Sequence, residues 1–326
     1  MKIPAFQSPL APFMKELVET RYALGYGATA SLAYLLAHFD RFLVSRGHRE
    51  QSLTRQIVED WASSGPPIKP ITRANRIKAV RVLAKFIVQT QPCYVPGLAW
   101  RQRRDSGFRP HIYTPAQIQA LLAEAAKLDV PGSLVPRTYV TLFALLSCTG
   151  LRISEALALE LRDVDLEEGV LWIRESKFHK SRMVPLHPTA VSGLKQYREA
   201  RNSKGLRRDP EAPFFVSKWL RPFASFKSIT KTFLDIARRA GIRKQTGVPG
   251  PRLHDLRHAF ALSRLLAWYR DGQDVQARML LLSTYLGHVR LASTQVYLNI
   301  TAELLQEAAR RFKAPAIPPA PTQGAI

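Results

Sequence analysis

Cysteine is nearly missing: 326 residues hold only Cys93 and Cys148. There is no CxxC pair and no Cys/His ligand spacing, which excludes a disulfide framework and a structural zinc site and leaves metal binding without a candidate. Each thiol is expected to be a small buried hydrophobe, and so scarce a pair suits a reducing compartment. Long apolar runs are missing too. No stretch is long enough to span a bilayer and no charged-apolar-small leader follows Met1, so the chain is expected to be soluble, cytoplasmic and free of membrane. Acidic residues are scarce: Asp+Glu number 25 against 48 Lys+Arg, a formal net charge of +23. Such an excess is the footprint of a polyanion binder, with nucleic acid as the partner it implies. Residues 1–110 carry 17 basic and 7 acidic side chains, so the excess is shared by both halves, and both are expected to face a phosphate backbone. No internal repeat is present.

The length predicts about two domains. In Ser31–Arg46, Leu32, Leu35, Leu36, Phe39, Phe42 and Leu43 recur at helical spacing, with Ser31 as N-cap and Gly47 as stop. A second helix is expected from Asn75 to Gln89, where Ile77, Val80, Ala84 and Ile87 form an apolar stripe and Lys78, Arg81 and Lys85 gather on an adjacent arc. A solvated surface and contact with DNA phosphates account for that arc equally well; the hypothesis adopted is phosphate contact. RQRRDSGFRP, residues 101–110, is basic and without apolar periodicity, which marks a linker whose Arg103 and Arg104 can lie along DNA. Thr114-Pro115-Ala116-Gln117 then reads as a helix start with a capping box. From Thr138 to Leu161 the pattern is helix, a Thr149-Gly150 turn and helix again. Val170–Glu175 and Met183–Leu186 predict an antiparallel β-ribbon, and the remainder to about Lys313 is helical. The expected fold is mainly α in two domains: a helical DNA-binding domain at 1–105, a linker at 106–112, an α+β domain at 113–313 with a small antiparallel ribbon or sheet, and a disordered Pro-rich tail at 314–326.

Five short stretches stand out in the second domain: Thr149-Gly150-Leu151-Arg152 with Ser154-Glu155, the turn Ser176–Arg182, His254-Asp255-Leu256-Arg257-His258, Leu286-Gly287-His288, and Tyr297. Singly each is ordinary. A lone histidine is most often a satisfied structural residue, the reading kept for His258, and a lone tyrosine beside Val296 and Leu298 is most often core. His254 and His258 have the spacing of a zinc protease, but Asp255 stands where that motif needs glutamate and no third ligand suggests itself.

In their order and spacing these motifs resemble the tyrosine recombinase (phage integrase) family: an arginine box, a β-ribbon lysine, His-x-x-Arg, Gly-His and then tyrosine. The separation of His288 from Tyr297 and of Arg152 from Lys177 is similar to the family's, and by that criterion Tyr269 and Tyr285 are decoys. The resemblance covers about 112–313, with a stretch between Arg257 and Gly287 that is longer than in the commonest members. It implies an integrase-like catalytic core and a site-specific strand transferase that works through a 3′-phosphotyrosyl bond without metal or nucleotide cofactor. It also implies roles: Tyr297 as nucleophile, Arg152 and Arg257 as phosphate clamp, and Lys177, with Lys180 as its rival, as the acid for the leaving oxygen. His254 would assist proton transfer, His288 would bond the phosphate, Glu155 would orient a cation, and Lys180 and Arg182 would touch the DNA backbone. The implied partner is double-stranded DNA carrying specific recombination sites, gripped between the two domains. A homo-tetramer on two sites would be joined through the amphipathic helix at 302–312, with accessory DNA-bending or partner recombinase proteins. The rivals are a type IB topoisomerase-like or telomere-resolving enzyme, and a DNA-binding protein that keeps the fold without chemistry.

Overall fold

The computed structural model describes residues 3–26, 29–97, 110–128, 132–176, 180–244, 250–288, 292–295 and 297. The chain divides into two compact units, Met1–Gly107 and Phe108–Ile326. Arg103, Arg104, Lys177, the helix expected at 302–312 and the tail at 314–326 lie outside the described residues.

The first unit is built from α1 (Ala11–Ala23), α2 (Thr29–Ser45), α3 (Arg55–Ser63) and α4 (Pro70–Ile87). The periodic positions of α2, Leu32, Leu36, Phe39 and Leu43, meet Met14 and Val18 of α1, Trp61 of α3 and Val80, Leu83 and Ile87 of α4 in one core. Each large apolar side chain taken fully from water there contributes roughly 1.5–3 kcal/mol. Asp40, buried among them, accepts from the backbone N–H groups of Gln7 and Ser8 at 2.9 Å each, which satisfies its charge and ties down the segment before α1. Helix α4 begins at Pro70, ahead of the apolar stripe that starts at Ile77. Proline at the first helical position loses no needed hydrogen bond and presets φ, so the helix extends upstream of its hydrophobic signal.

The second unit opens with α5 (Pro115–Ala126), held by the expected capping box: Gln117 N donates to Thr114 Oγ1 at 3.2 Å and Thr114 N to Gln117 Oε1 at 3.1 Å. Helix α6 (Val135–Thr149) buries Leu142, Phe143, Leu145 and Leu146. Cys148, expected inside, is turned outward by that stripe and is exposed. After the short α7 (Ile153–Leu157) come β1 (Val164–Asp165), β2 (Val170–Ser176) and β3 (Lys180–Pro185), an antiparallel sheet in the order β1-β2-β3. Leu171 stands opposite Val184 and Ile173 opposite Arg182. The expected ribbon is β2 with β3; β1 is too short for alternation to show in sequence.

Helices α8 (Pro188–Asn202), α9 (Phe226–Arg239), α10 (Asp255–Arg270), α11 (Val275–Leu286) and α12 (Ala292–Gln295) follow. The long stretch between Arg257 and Gly287 is a full α10, a turn at Gly272 (φ +72°), and α11 capped by Asp274, which accepts from Gln276 N and Ala277 N at 2.9 and 3.1 Å. The fold is thus mainly α with one small antiparallel sheet. Among the described residues no helix is long and apolar enough to cross a membrane.

Candidate active site

Two glycine-terminated helices set the frame. Helix α6 ends at Gly150 (φ +62°) and α11 at Gly287 (φ +66°), both in the left-handed region. Neither has room for a Cβ, which would fall 2.6 Å from the Phe260 ring at Gly150 and 2.7 Å from Arg182 Nη1 at Gly287. Carbonyls left over at helix ends carry partial negative charge and attract cations. Arg257, in the first turn of α10, donates from Nη1 to Gly150 O at 2.7 Å and from Nη2 to Leu286 O at 2.6 Å. Arg152, between α6 and α7, donates from Nη2 to Gly287 O at 2.9 Å. Both guanidiniums are therefore fixed before any ligand arrives. Burial, with Arg152 alongside, lowers Arg257 to about 10, so it is still cationic at neutral pH.

Glu155 is the counterweight. Its carboxylate accepts from Arg152 N at 2.9 Å and Arg152 Nη1 at 2.7 Å, and from Arg182 Nη1 and Nη2 at 3.1 and 2.8 Å. Burial alone would raise its pKa, but the hydrogen bonds from Arg182 and the Arg152 backbone, with both charges, outweigh it and hold the carboxylate below its usual range. Arg182 also donates from Nε to Tyr285 O at 2.7 Å. This departs from its expected place on the DNA backbone: with Glu155 and a helix-end carbonyl occupying its N–H groups, the side chain is turned inward and only 9% exposed.

Tyr297 is buried against Leu262, Leu265, Met279 and Leu286, with its hydroxyl 3.0 Å from His258 Nδ1. Burial raises the phenol's pKa, while the neighbouring Arg257 and Arg152 guanidiniums pull it back. His288, next after Gly287, pairs through Nδ1 with Thr294 Oγ1 at 2.7 Å, and its ring lies 6.3 Å from that of Tyr297. His254 stands at the N-terminal boundary of α10, open to solvent on its outer side, its ring edge-on to His258 at 4.9 Å. Desolvation, followed by neighbouring positive charge, pushes His288 down to about 3 and His254 to about 4. These imidazoles are neutral near pH 7, and a bound phosphate would offset the cationic part of the shift and draw them toward protonation. Three guanidiniums against one carboxylate leave two positive charges, which matches a phosphodiester passing through a doubly charged phosphorane.

The structure thus brings Arg152, Glu155, His254, Arg257, His288 and Tyr297 together. In the first unit Lys78 and Lys85 are exposed on α4, whereas Arg81 donates to the Pro96 carbonyl. Lys180 opens β3, and its side chain, like all of Lys177, lies outside the described residues. His258, expected from the sequence to be structural, meets the Tyr297 hydroxyl; the four-residue step from His254 puts both histidines on one helical face. The inward role of Arg182 had no signal, because cross-strand register is invisible in a single sequence.

Such an arrangement, on a mainly helical domain with a small sheet, suits phosphoryl transfer to a tyrosine. Residues 112–303 match the profile of the phage integrase family. A protein assigned as an integrase/recombinase, y4rB of Sinorhizobium fredii, is 35% identical over 92% of this chain and 96% of its own length. The tyrosine recombinase XerD of Agrobacterium fabrum is 28% identical over 90% of each chain. Among solved structures, the XerH site-specific recombinase bound to palindromic difH substrate superposes with a TM-score of 0.67 at 20% identity, covering 93% of this chain and 84% of that one. The Tn1549 transposon integrase in complex with transposon right end DNA gives 0.65 at 17%, covering 93% and 99%. At those identities the likeness establishes the shared fold. The chain belongs to the phage integrase family and is a tyrosine recombinase, an enzyme of DNA strand transfer.

Proposed function

We propose that this recombinase cleaves and rejoins duplex DNA at specific sites through a 3′-phosphotyrosyl bond at Tyr297. The supporting observation is the Tyr297 hydroxyl 3.0 Å from His258 Nδ1, under the charge of Arg152 and Arg257, whose guanidiniums are anchored on helix-end carbonyls. The phenolic oxygen attacks phosphorus, the bond to the 5′ oxygen breaks, and the Lys177 ammonium gives that oxygen its proton. Arg152 and Arg257 bind the non-bridging oxygens, His288 adds a hydrogen bond, and His254 assists proton transfer. The ester conserves the bond energy, so a second 5′-hydroxyl reverses the step and neither metal nor nucleotide is consumed.

Duplex DNA as substrate is supported by the net charge and by the DNA-bound state of the similar XerH and Tn1549 structures. Lys78, Lys85, Arg103, Arg104 and Lys180 supply backbone contacts, with a weaker share from Arg81. Four protomers meet on two sites, the helix at 302–312 burying Leu304, Leu305, Ala308 and Phe312 on a neighbouring protomer, and accessory DNA-bending proteins or a partner recombinase complete the assembly. The site of action is DNA in the cytoplasm. A duplex nicked beside the cleavage point tests the chemistry: covalent protein–DNA should accumulate with the wild-type chain and vanish in Tyr297→Phe. Adduct that persists in the variant would name another nucleophile, and relaxation of a supercoiled plasmid lacking a specific site would favour a topoisomerase-like enzyme.

A further inference from the structure

The contact between His258 and Tyr297 carries more than packing. The phenol is a donor and an acceptor, whereas Arg257, with Nη1 on Gly150 O and Nη2 on Leu286 O, is a guanidinium that can only donate, so it cannot take the phenolic hydrogen. The phenolic hydrogen then needs an acceptor, and among the described residues the one in reach is His258 Nδ1 at 3.0 Å. When the phenol donates along this contact, Nδ1 carries the lone pair and Nε2 the proton. We infer that His258 is the general base of the reaction, taking the phenolic proton of Tyr297 onto Nδ1 as the oxygen attacks phosphorus and returning it when the strand is rejoined.

This rests on the function proposed above and sharpens it. The balance is simple: the O–H bond of Tyr297 breaks, N–H forms at Nδ1, P–O(Tyr) forms and P–O5′ breaks, the leaving oxygen drawing a proton from the separate acid. His258 is placed for the task by the first turn of α10, one residue beyond Arg257, so clamp and base move as one rigid piece. The charged or titratable groups around it are Tyr297, His254, Asp255, Arg252, Arg257 and His288. Desolvation is the main cause keeping the ring neutral, Asp255 opposes it, and Arg252 and Arg257 assist. A neutral imidazole is the form that accepts a proton, and the imidazolium that results is offset by the charge growing on the phosphorane.

The test uses the full chain, the nicked duplex and single-turnover cleavage across pH. His258→Asn keeps an acceptor atom near the Nδ1 position but does not take a proton at neutral pH; His258→Gln adds a second geometry. Expected are near-normal DNA binding and melting, a fall in cleavage rate on the order of 100-fold, and loss of the rise with pH that titration of the base produces in the wild-type chain. A duplex with sulfur in place of the bridging 5′ oxygen, whose leaving group needs no proton, should restore Lys177→Ala and leave His258→Asn slow. A wild-type rate and pH profile in His258→Asn, or rescue by sulfur, would overturn the assignment. Adduct surviving Tyr297→Phe would instead overturn the nucleophile, and the base with it.

Discussion

Helix α4 of the first unit and the helix ends of the second treat positive charge in opposite ways. On α4, Lys78 and Lys85 stand in solvent on flexible stems. In the second unit Arg152, Arg182 and Arg257 are turned onto carbonyls of α6 and α11 and onto one buried carboxylate. Exposed cations attract the phosphate backbone at long range and are screened by salt; buried ones hold a fixed geometry that a single phosphate can use. Under the function proposed above, the same net charge would supply affinity in one place and preorganisation in the other.

The sharpest way to break that contrast is Arg257→Lys, which keeps the charge and removes the fork. A lysine cannot bond Gly150 O and Leu286 O in the same plane, and an unpaired buried carbonyl costs about 1–3 kcal/mol. Cleavage of the nicked duplex should fall by about 100-fold or more with binding nearly kept. Equal loss of binding and rate would mean that the residue serves affinity after all.

A smaller effect should appear with pH. His288 and His254 have folded pKa values of about 3 and about 4, below the ordinary 6.5, so the fold favours their neutral forms. The unfolded chain then binds more protons between those values, and the stability is present above pH 6.5 and lost as pH falls toward 4. Thermal melts of the free protein should drop across that interval, less steeply in His288→Gln, and added duplex should flatten the drop, because a bound phosphate raises the folded-state pKa values back toward 6.5. A flat melting profile would contradict the burial that the site implies.

The smallest change belongs to α4. Neutralising Lys78 and Lys85 together should lower the salt slope of DNA binding by about 0.9 for each phosphate that is no longer neutralised, with cleavage at saturation unchanged. Arg81→Gln should move it less, since Arg81 is already held by the Pro96 carbonyl. An unaltered slope in the double variant would remove α4 from the DNA.

Local signals were legible where neighbours in sequence are neighbours in space. The Thr114 capping box, the Gly150 turn, the α2 stripe and the β2–β3 ribbon all follow from spacing within a few residues. The upstream extension of α4 was harder to read because Pro70 and its followers carry no apolar stripe. His258 was visible but ambiguous: a histidine four residues from another on a helix fits a structural and a chemical role alike until its partner is known. Arg182 carried no signal, since Glu155 and Tyr285 reach it only through cross-strand register and the end of a distant helix.

The amino-acid order alone therefore settled the charge balance, the helical character, and the family to which Arg152, Arg257, His288 and Tyr297 point, because motif identity and periodicity are properties of short spans. Folding alone settled which cations face inward and which atom meets the Tyr297 hydroxyl. A hydrogen bond between residues 39 positions apart depends on where α6, α10 and α11 end relative to one another, and that is fixed only when their carbonyls and guanidiniums close on each other in three dimensions.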